Sequence, residues 1–306
     1  MGPKCYTFFM KAYLNDGLVR MAEARVSIFD HGFLYGDGVY ETMRVYDGVV
    51  FMLEEHLKRL SHSAAMILLD LPKTMDGLKS AIYDTLDANG FRDAYLRLAV
   101  TRGEGPIGLD PALCKRPTLV IYCDKLKPPP LSFKEQGMKL AIVNTKRNCK
   151  EALDPQIKSL NFLNNILAKA ESLRAGADEG LMLNMEGHVA EGTTSNIFFV
   201  HGGALCTPAS ECGILKGITR DVVISIAGRL HMKLAEGKFT ASQLLEASEA
   251  FVTSSIIEIM PVGKIGDTRF KPGEVTKALM AEYAKEVQAY VKETKESGPS
   301  IWGGDG

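Results

Sequence analysis

The sequence lacks several features that would assign a class of protein at once. The cysteines are few and scattered, with no Cys-x-x-Cys pair and no histidine at ligand spacing: Cys5, Cys114, Cys123, Cys149, Cys206 and Cys212. This excludes a disulfide scaffold and predicts reduced thiols and no metal centre. The N-terminal stretch has no signal-peptide core, and no window approaches the run of about 18 apolar residues that a membrane span needs. We therefore expect a cytoplasmic protein with no membrane partner.

An excess of charge of one sign is also missing. The chain has 36 basic and 37 acidic residues, and its formal net charge is -1. Because the lysines and arginines are dispersed, the sequence indicates no nucleic-acid partner. The length of 306 residues and the hydrophobic content of 46% suit one large or two ordinary globular domains.

The first half of the chain combines hairpins with helices. Turn signals stand between apolar segments at "NDG" and "YDG". Helical periodicity follows at 54–69, with Leu57, Leu60, Ala64 and Ile67 on one face, and again at 75–89. The segments "AYLRLAVTRG" and "PTLVIYCD" predict strands, so the organisation is α+β.

A run of three prolines in "DKLKPPPLSFKEQG" is the best candidate for a linker. We predict a small α/β domain over 1–125, a linker over 126–135, a larger domain over 136–293 and a flexible tail over 294–306. In the second half, the pattern favours helices at about 219–231 and 273–293.

Lys158 lies in "DPQIKSLNFLNNILAK", just before a helical run with Phe162, Ile166, Ala170 and Leu173 at three- and four-residue steps. A cation at a helix N-terminus is at the unfavourable end of the macrodipole unless it is neutral or functional. The alternatives are that Lys158 is solvated or that the helix begins one turn later.

Two polar features of the second half resemble parts of a cofactor site. Glu191 interrupts an apolar strand in "HVAEGTTSNIFFV"; it is either an edge or turn carboxylate or a buried carboxylate that holds a proton on a ring nitrogen. Thr219 follows the loop "GILKGI" in the first turn of a helix, where it is either an ordinary cap or part of an anion site.

Two more features have the chemistry of phosphate binding. Ser254 and Ser255 stand at a predicted strand-to-turn junction, where they are either solvated or donors to phosphate oxygens. Arg59 falls on the apolar side of its helix, and it either binds phosphate or pairs with Glu55 at the surface. Together with a lysine amine and a carboxylate, these features indicate a pyridoxal phosphate site.

The chain resembles the class IV, or fold-type IV, pyridoxal phosphate aminotransferases from about residue 12 to 290. This family includes branched-chain aminotransferases, D-amino acid and (R)-amine transaminases, and aminodeoxychorismate lyases. Six motifs occur in the family order: "DHGFLYGDGVYETMRVYDG", "HLKRL", "KSLNFLNNILAKAE", "EGTTSNIF", "GITRD" and "TSSIIEIMPV". The resemblance implies a small α/β domain and a larger domain with a barrel-like sheet, with pyridoxal 5'-phosphate between them in a homodimer.

The resemblance also implies the roles of individual residues. Lys158 would be the Schiff-base lysine, Glu191 would face the pyridine nitrogen and Asn196 would support it. Leu215 would pack on the ring. The phosphate would be held by Arg59, Ile218, Thr219, Ser254 and Ser255.

The substrate side most resembles that of the branched-chain enzymes, which use 2-oxoglutarate as amino acceptor. By that resemblance it would be lined by Tyr35, Tyr40, Tyr95, Arg97 and Ile256. An arginine can take the distal carboxylate of glutamate while the aromatic rings form an apolar wall; the alternative for Arg97 is a strand residue paired with a surface acid.

Two departures from the branched-chain pattern leave other members of the family open. Phe162 stands where tyrosine is usual, and Thr42 stands where glycine is favoured. A D-amino acid or (R)-amine transaminase and an aminodeoxychorismate lyase are the alternatives, and a relative that binds cofactor without catalysis is a further one.

Overall fold

The computed structural model of this chain describes residues 10–297. By internal contacts they divide into two compact units. Unit 1 comprises 10–127, 157–161 and 287–297, and unit 2 comprises 128–156 and 162–286. Within the described residues, no helix has both the length and the hydropathy of a membrane span.

Unit 1 is built on a sheet of six strands with the order β2-β1-β6-β5-β3-β4, and every pair in it is antiparallel. Its strands and helices are β1 (Lys11–Leu14), β2 (Gly17–Arg20), α1 (His31–Tyr35), β3 (Gly38–Tyr46), β4 (Val49–Val50), α2 (Leu53–Met66), α3 (Met75–Asn89), β5 (Ala94–Thr101) and β6 (Thr118–Lys125).

The turn residues of unit 1 explain where its elements begin and end. The "NDG" signal forms the predicted hairpin, in which Leu14 pairs with Gly17. In the β3–β4 hairpin both loop residues, Asp47 and Gly48, have positive φ, as a type I′ turn requires. Helix α3 covers the predicted residues because the Thr74 side chain caps its first turn and Gly90, with a φ of 64°, ends it.

One face of this sheet is covered by α2 and α3. The alternating residues Leu96, Leu98 and Val100 of β5 are fully buried in the core that these helices close. Three of the four residues of the predicted apolar face of α2 are buried, Leu57, Leu60 and Ala64, whereas the helix ends at Met66, short of the predicted 69, and leaves Ile67 as a half-buried C-cap. The opposite face of the sheet therefore presents the other residues of each strand.

Unit 2 contains a nine-stranded sheet, curled into a half-barrel, with the order β12-β11-β10-β13-β14-β7-β8-β9 and with β15 paired to β14. Its strands and helices are α4 (Leu131–Gln136), β7 (Met138–Ile142), α5 (Leu163–Arg174), β8 (Glu179–Leu183), β9 (Val189–Gly192), β10 (Asn196–His201), β11 (Ala204–Pro208), α6 (Ile218–Arg229), β12 (Leu234–Gly237), α7 (Ala241–Leu245), β13 (Glu249–Ser254), β14 (Glu258–Ile265) and β15 (Thr268–Arg269). Helix α8 (Glu274–Ser297) ends the described chain.

The buried side of helix α5 is not the row of apolar residues whose spacing marks it as a helix. Ile166 and Leu173 are more than half exposed, whereas the buried residues are Asn165, Ala168 and Ser172. The reason is close packing on β8: a Cβ on Gly180 would lie 2.9 Å from the carbonyl oxygen of Ala168. Only a row of small side chains allows the helix to approach the strand so closely, so the large apolar residues point outward.

The domain limits stay a prediction, and three details of the structure differ from it. Helix α4 begins at Leu131 inside the predicted linker, directly after the prolines. Residues 157–161 and 287–293, all predicted in the larger domain, group with unit 1. Helix α8 continues to Ser297, so 294–297 are helical, and the rest of the predicted tail lies outside the described residues.

Candidate active site

The face of the unit 1 sheet opposite its core carries the predicted substrate residues of β3 and β5. Thr42 pairs with Arg97, and Arg97 pairs with Tyr122 of β6, so these side chains share one face. The ring of Tyr95 lies beside that of Tyr122, with centroids 6.3 Å apart. Burial raises the pKa of Tyr122, and Tyr95 adds to that shift.

Tyr40 connects Arg97 with Lys158. The Cζ atom of Arg97 lies 4.0 Å from the centroid of the Tyr40 ring, and the Nζ atom of Lys158 lies 4.6 Å from it. Such distances suit cation–π contacts. Tyr40 is buried, and this burial raises the pKa of its hydroxyl well above the ordinary value. The alternative for Arg97, a strand residue paired with a surface acid, does not describe this stacked geometry.

Lys158 is held along the start of β3. The Tyr40 N–H donates to the Lys158 carbonyl at 3.0 Å, and the Leu160 N–H donates to the Gly38 carbonyl at 2.9 Å. The Lys158 N–H donates to Ser63 Oγ of α2 at 3.1 Å. A Cβ at Gly38 would lie 2.7 Å from the backbone carbonyl oxygen of Val100 and 2.8 Å from the Leu160 side chain, so this position requires glycine.

The expectation that Lys158 stands at a helix N-terminus is therefore wrong. Helix α5 begins at Leu163, five residues later, because the backbone of 158–160 is bonded to β3 and not to a helical turn. The predicted conflict with the macrodipole does not arise, and the alternative of a later helix start is confirmed.

Arg59 pairs with a residue that the sequence reasoning did not consider. Its Nε donates to Glu41 Oε1 at 2.7 Å and its Nη2 to Glu41 Oε2 at 2.8 Å. The expected alternative partner was Glu55, one turn earlier on α2, but the partner found is a fully buried acid of β3.

Tyr35 lies apart from the Tyr40 contacts. It ends α1, and its hydroxyl accepts a hydrogen bond of 3.3 Å from the N–H of Gly108 in the "GPIGLDP" segment. The structure thus joins Tyr35 to that segment, whereas Tyr40 stacks with Arg97 and Lys158.

In unit 2, Glu191 is a buried carboxylate of β9 with defined partners. Its side chain is 6% exposed. Oε1 accepts from Arg147 Nε at 2.7 Å, and Oε2 accepts from the Leu215 N–H at 3.0 Å and from Asn196 Nδ2 at 3.3 Å. β9 is the last strand in the order of this sheet, yet Glu191 is buried. Glu191 is therefore both an edge-strand residue and a buried carboxylate.

Helix α6 begins beside this carboxylate group. Gly217 is its N-cap, with no side-chain cap, and Ile218 and Thr219 are its first two residues, both buried. Thr219 is thus not the cap that one alternative assumed. A Cβ at Gly217 would lie 2.0 Å from Asn196 Oδ1, so the cap must be glycine while Asn196 also donates to the Leu215 carbonyl at 2.9 Å.

Ser254 and Ser255 occupy the predicted junction. Ser254 ends β13, Ser255 and Ile256 lie in the turn that follows, and all three are half-buried. Next to them, Thr253 pairs with Asn196 across the strands, and its Oγ1 is buried with no hydrogen-bond partner among the described residues.

These residues form two groups, one in each unit. In unit 1 the group comprises Tyr40, Glu41, Arg59, Tyr95, Arg97, Tyr122 and Lys158. In unit 2 it comprises Arg147, Glu191, Asn196, Leu215, Gly217, Ile218, Thr219 and Thr253. Sequence reasoning missed Glu41, Arg147 and Tyr122; an acid in the apolar phase of "VYETMRV" was a signal for Glu41, but Arg147 lies outside any periodic segment.

The donor set fits pyridoxal phosphate. An uncapped helix N-terminus and a threonine hydroxyl without a partner among the described residues are suited to an anion. A buried carboxylate held by fixed donors is suited to a protonated ring nitrogen. A lysine amine lies against an aromatic ring in the other unit.

Comparison with known proteins assigns the family. The family model described as amino-transferase class IV matches residues 38–265. The chain therefore belongs to the class IV aminotransferases, which are pyridoxal-phosphate-dependent enzymes.

Its relatives differ in the reaction their names state. A protein from Methanocaldococcus jannaschii, provisionally named a branched-chain-amino-acid aminotransferase, is 45% identical over 90% of this chain and 95% of its own. The aminodeoxychorismate lyase of Bacillus subtilis is 34% identical over 92% of this chain and 96% of its own. The D-alanine aminotransferase of Bacillus licheniformis is 34% identical over 91% of this chain and 100% of its own.

Solved structures agree on the fold. The branched-chain aminotransferase of Thermoproteus uzoniensis with norvaline has a TM-score of 0.87 and 35% identity, over 94% of this chain and 97% of that one. The branched-chain amino acid aminotransferase of Thermobaculum terrenum in its holo form has a TM-score of 0.82 and 28% identity, over 94% and 96% of the two chains.

Proposed function

We propose that this enzyme transfers the amino group of a branched-chain L-amino acid to 2-oxoglutarate. The observation that carries the proposal is the stacking of Arg97 on the Tyr40 ring, which Lys158 Nζ also contacts. Arg97 can bind a distal carboxylate, and the Tyr40 ring offers an aromatic surface for an aliphatic side chain. Both groups lie close to the Lys158 amine, because Arg97 and Lys158 contact the same ring. One site can therefore accept both glutamate and a branched-chain substrate.

The residues of the chain have separate roles in this proposal. When bound, pyridoxal phosphate would supply an electron-accepting ring for the electron pair released when the Cα–H bond of the amino substrate breaks. Lys158 would hold the cofactor covalently until the substrate amine replaces it, and its freed, neutral Nζ would then take the Cα proton of the substrate. Tyr40 supports that amine from one side, and the backbone bonds of 158–160 fix the chain that carries it.

The remaining assignments rest on the resemblance to the family and agree with the chemistry of the side chains. Glu191 holds the proton on the ring nitrogen, since Arg147, Asn196 and the Leu215 N–H keep its carboxylate in one orientation. By the family resemblance the phosphate would be held by Arg59 of unit 1 and, in unit 2, by the first turn of α6 at Ile218 and Thr219 and the hydroxyls of Ser254 and Ser255. By the same resemblance Leu215 would pack on the ring, and Tyr35, Tyr95 and Ile256 would complete the substrate side.

A second candidate function has its own support. Thr42 faces the same side of the sheet as its pair partner Arg97 and puts a hydroxyl where branched-chain enzymes favour glycine. D-alanine aminotransferase and aminodeoxychorismate lyase relatives are each 34% identical to this chain. A D-amino acid transaminase and the lyase are therefore the alternatives.

The test is parallel incubation with 2-oxoglutarate and L-leucine, D-alanine or (R)-phenylethylamine, with glutamate as the product measured. We expect glutamate from L-leucine, together with a visible absorbance band of bound cofactor that is lost in Lys158→Ala and kept in the control Lys150→Ala. Glutamate from D-alanine alone would reject the L-branched-chain assignment, and pyruvate from aminodeoxychorismate would establish the lyase.

We also propose that the enzyme is a cytoplasmic homodimer. The described cysteines Cys114, Cys123, Cys149, Cys206 and Cys212 are all free thiols, as a reducing compartment would leave them. Support for the dimer comes from the exposed apolar residues of α5, because such patches usually mark interaction surfaces.

A further inference from the structure

Glu41 occupies a position where an acid is out of place. It lies on the core face of β3 between Val39 and Met43, and all three residues are fully buried at 0% exposure. Burying a carboxylate in such surroundings is unfavourable unless it is paired and its oxygens are satisfied. Its partners must therefore account for its presence.

Those partners are one arginine and one histidine from the same face of α2. Glu41 accepts two hydrogen bonds from Arg59, at 2.7 and 2.8 Å, in a bidentate fork, and one from His56 Nδ1 at 2.7 Å. The fork fixes the plane of the guanidinium as well as its position. His56, Arg59 and Ser63 follow at three- and four-residue steps, so they lie on one side of the helix.

The charge states are consistent with a fixed ion pair. Burial alone would raise the pKa of Glu41, but the charge of Arg59 and the hydrogen bonds from Arg59 and His56 outweigh it and hold the pKa far below its ordinary value. Burial lowers the pKa of His56, which therefore is neutral near pH 7 and donates its Nδ1–H to Glu41. Glu41 is thus ionised and Arg59 keeps its charge.

Two other buried acids, Glu249 and Glu179, have a simpler explanation. Glu249 accepts from the Val275 and Thr276 N–H groups and so caps the start of α8. Glu179, the first residue of β8, accepts from its neighbour's N–H, that of Gly180, and from the Thr193 N–H in the turn after β9. Both satisfy backbone donors, whereas Glu41 binds only side chains in the contacts described above, so it orders side chains rather than a turn.

We propose that Glu41 and His56 are positioning residues that orient Arg59 for the phosphate of the cofactor. The inference rests on the proposed role of Arg59 in the active site. A guanidinium whose plane is fixed in advance loses little rotamer freedom when it binds an anion, and preorganisation of this kind raises affinity.

The same two elements also hold the lysine. Tyr40, adjacent to Glu41 on β3, donates its N–H to the Lys158 carbonyl, and Ser63, one turn beyond Arg59 on α2, accepts the Lys158 N–H. The contact between β3 and α2 therefore sets the position of the phosphate arginine and of the reactive amine together.

The test separates binding of the phosphate from binding of the ring. The full-length protein, freed of cofactor by dialysis, is titrated with pyridoxal 5'-phosphate and with pyridoxal, which lacks the phosphate, and binding is followed by visible absorbance. We expect Glu41→Gln to weaken pyridoxal 5'-phosphate binding about tenfold or more, while pyridoxal binding changes little. His56→Gln keeps the bidentate pair of Arg59 and Glu41. It should therefore lower the ratio of pyridoxal 5'-phosphate affinity to pyridoxal affinity by less than Glu41→Gln does.

Matched variants make the result specific. Asp37→Asn weakens an equivalent fork in unit 1, where Arg102 donates to Asp37 at 2.7 and 3.0 Å, and it should leave the ratio of the two affinities unchanged. In an Arg59→Lys background, which has no fork to orient, Glu41→Gln should have little further effect on that ratio.

The outcomes are distinguishable. The proposal is overturned if Glu41→Gln weakens the binding of pyridoxal 5'-phosphate and of pyridoxal equally. It is also overturned if the ratio of the two affinities is unchanged and only the unfolding midpoint is lower, because Glu41 would then be a structural residue. If Glu41→Gln does not fold, His56→Gln and Arg59→Lys decide between the same results. A wild-type protein that binds neither ligand would instead reject the proposed function itself.

Discussion

A single side chain, Arg147, balances the charge of the buried Glu191 carboxylate. Arg147 was not predicted as a site residue, yet it makes the shortest polar contact to Glu191 described above, at 2.7 Å. Both side chains are buried, and a buried carboxylate that loses its cation is strongly destabilised. Arg147 is therefore as necessary to the orientation of Glu191 as Asn196.

Replacing Arg147 by alanine should lower the free energy of unfolding by about 3–5 kcal/mol, because Glu191 would remain buried and unpaired. Urea denaturation followed by circular dichroism measures this loss. Arg147→Lys keeps a cation and should lose clearly less. Equal losses in the two variants would show that packing, and not the ion pair, is what Arg147 contributes.

Replacing Arg97 by methionine should reduce kcat/KM for 2-oxoglutarate about tenfold to a hundredfold, the value of a hydrogen bond to a charged group. The half-reaction with L-leucine should change little, since that substrate has no distal carboxylate. Single-turnover absorbance measurements follow each half-reaction separately. A similar loss with both substrates would contradict the assignment of Arg97 to the distal carboxylate.

Helices and strands determine where these side chains end up. Helix α6 presents an uncapped N-terminus because a side chain at Gly217 would collide with Asn196, which is bonded to Glu191 and Leu215. The start of α6 and the Glu191 carboxylate therefore share Asn196 as a common contact within unit 2. A change at the cap should disturb both.

Gly217→Ala should weaken pyridoxal 5'-phosphate binding about tenfold, because its Cβ would displace Asn196 and shift the first turn of α6. Gly228→Ala is the matched control in the same helix, where an added Cβ meets nothing within 4 Å. That control should stabilise the helix by up to about 1 kcal/mol and leave binding unchanged. Equal binding by both variants would contradict the role of the α6 N-terminus.

Helix α5 exposes the apolar residues that an isolated globular unit would bury. Leu163, Ile166 and Leu167 are 66%, 56% and 52% exposed. If they form a subunit interface, Leu167→Glu should convert the homodimer into monomers, since a charge there would be buried without a partner. Sedimentation velocity measures the change, with Leu131→Glu, at a leucine 78% exposed on α4, as the control. A wild-type monomer, or a dimer that survives Leu167→Glu, would contradict this expectation.

For the whole molecule, stability should depend on pH through the buried group of unit 1. Burial lowers the pKa of His56 below its ordinary value of 6.5, and the Arg59 and His56 contacts lower that of Glu41 below 4.5. The folded state therefore binds fewer protons than the unfolded state as pH falls, and stability rises with pH in these ranges. The contribution of His56 is fully present above pH 6.5 and is lost as the pH falls through its folded pKa.

We expect the free energy of unfolding to decrease between pH 7.5 and pH 5.5, at a rate of up to about 1.4 kcal/mol per pH unit for a single proton, and to decrease less in His56→Gln. Denaturation at the two pH values measures it. The exposed His62 of the same helix supplies the control variant His62→Gln, which should keep the wild-type decrease. An equal decrease in His56→Gln would contradict the buried, neutral state of His56.

The sequence by itself determined the local structure and the family. Periodicity and turn residues predicted α3 over its observed residues, and six motifs carried the resemblance to the class IV aminotransferases that the family match confirms. Both depend only on residues and their order along the chain, the helix on its spacing and the family on its motifs. The same holds for Lys158 and Glu191 as candidates, since each stands in a recognisable motif.

Only the tertiary structure decided the partners of those residues. Glu41 and Arg59 are 18 positions apart, Arg147 and Glu191 are 44 apart, and Lys158 contacts a serine 95 positions away. Such contacts arise when strands and helices pack, and no local propensity encodes them. The outward apolar side of α5 has the same origin, because the close approach of Ala168 to Gly180, and not the hydrophobicity of the helix, selects the face that is buried.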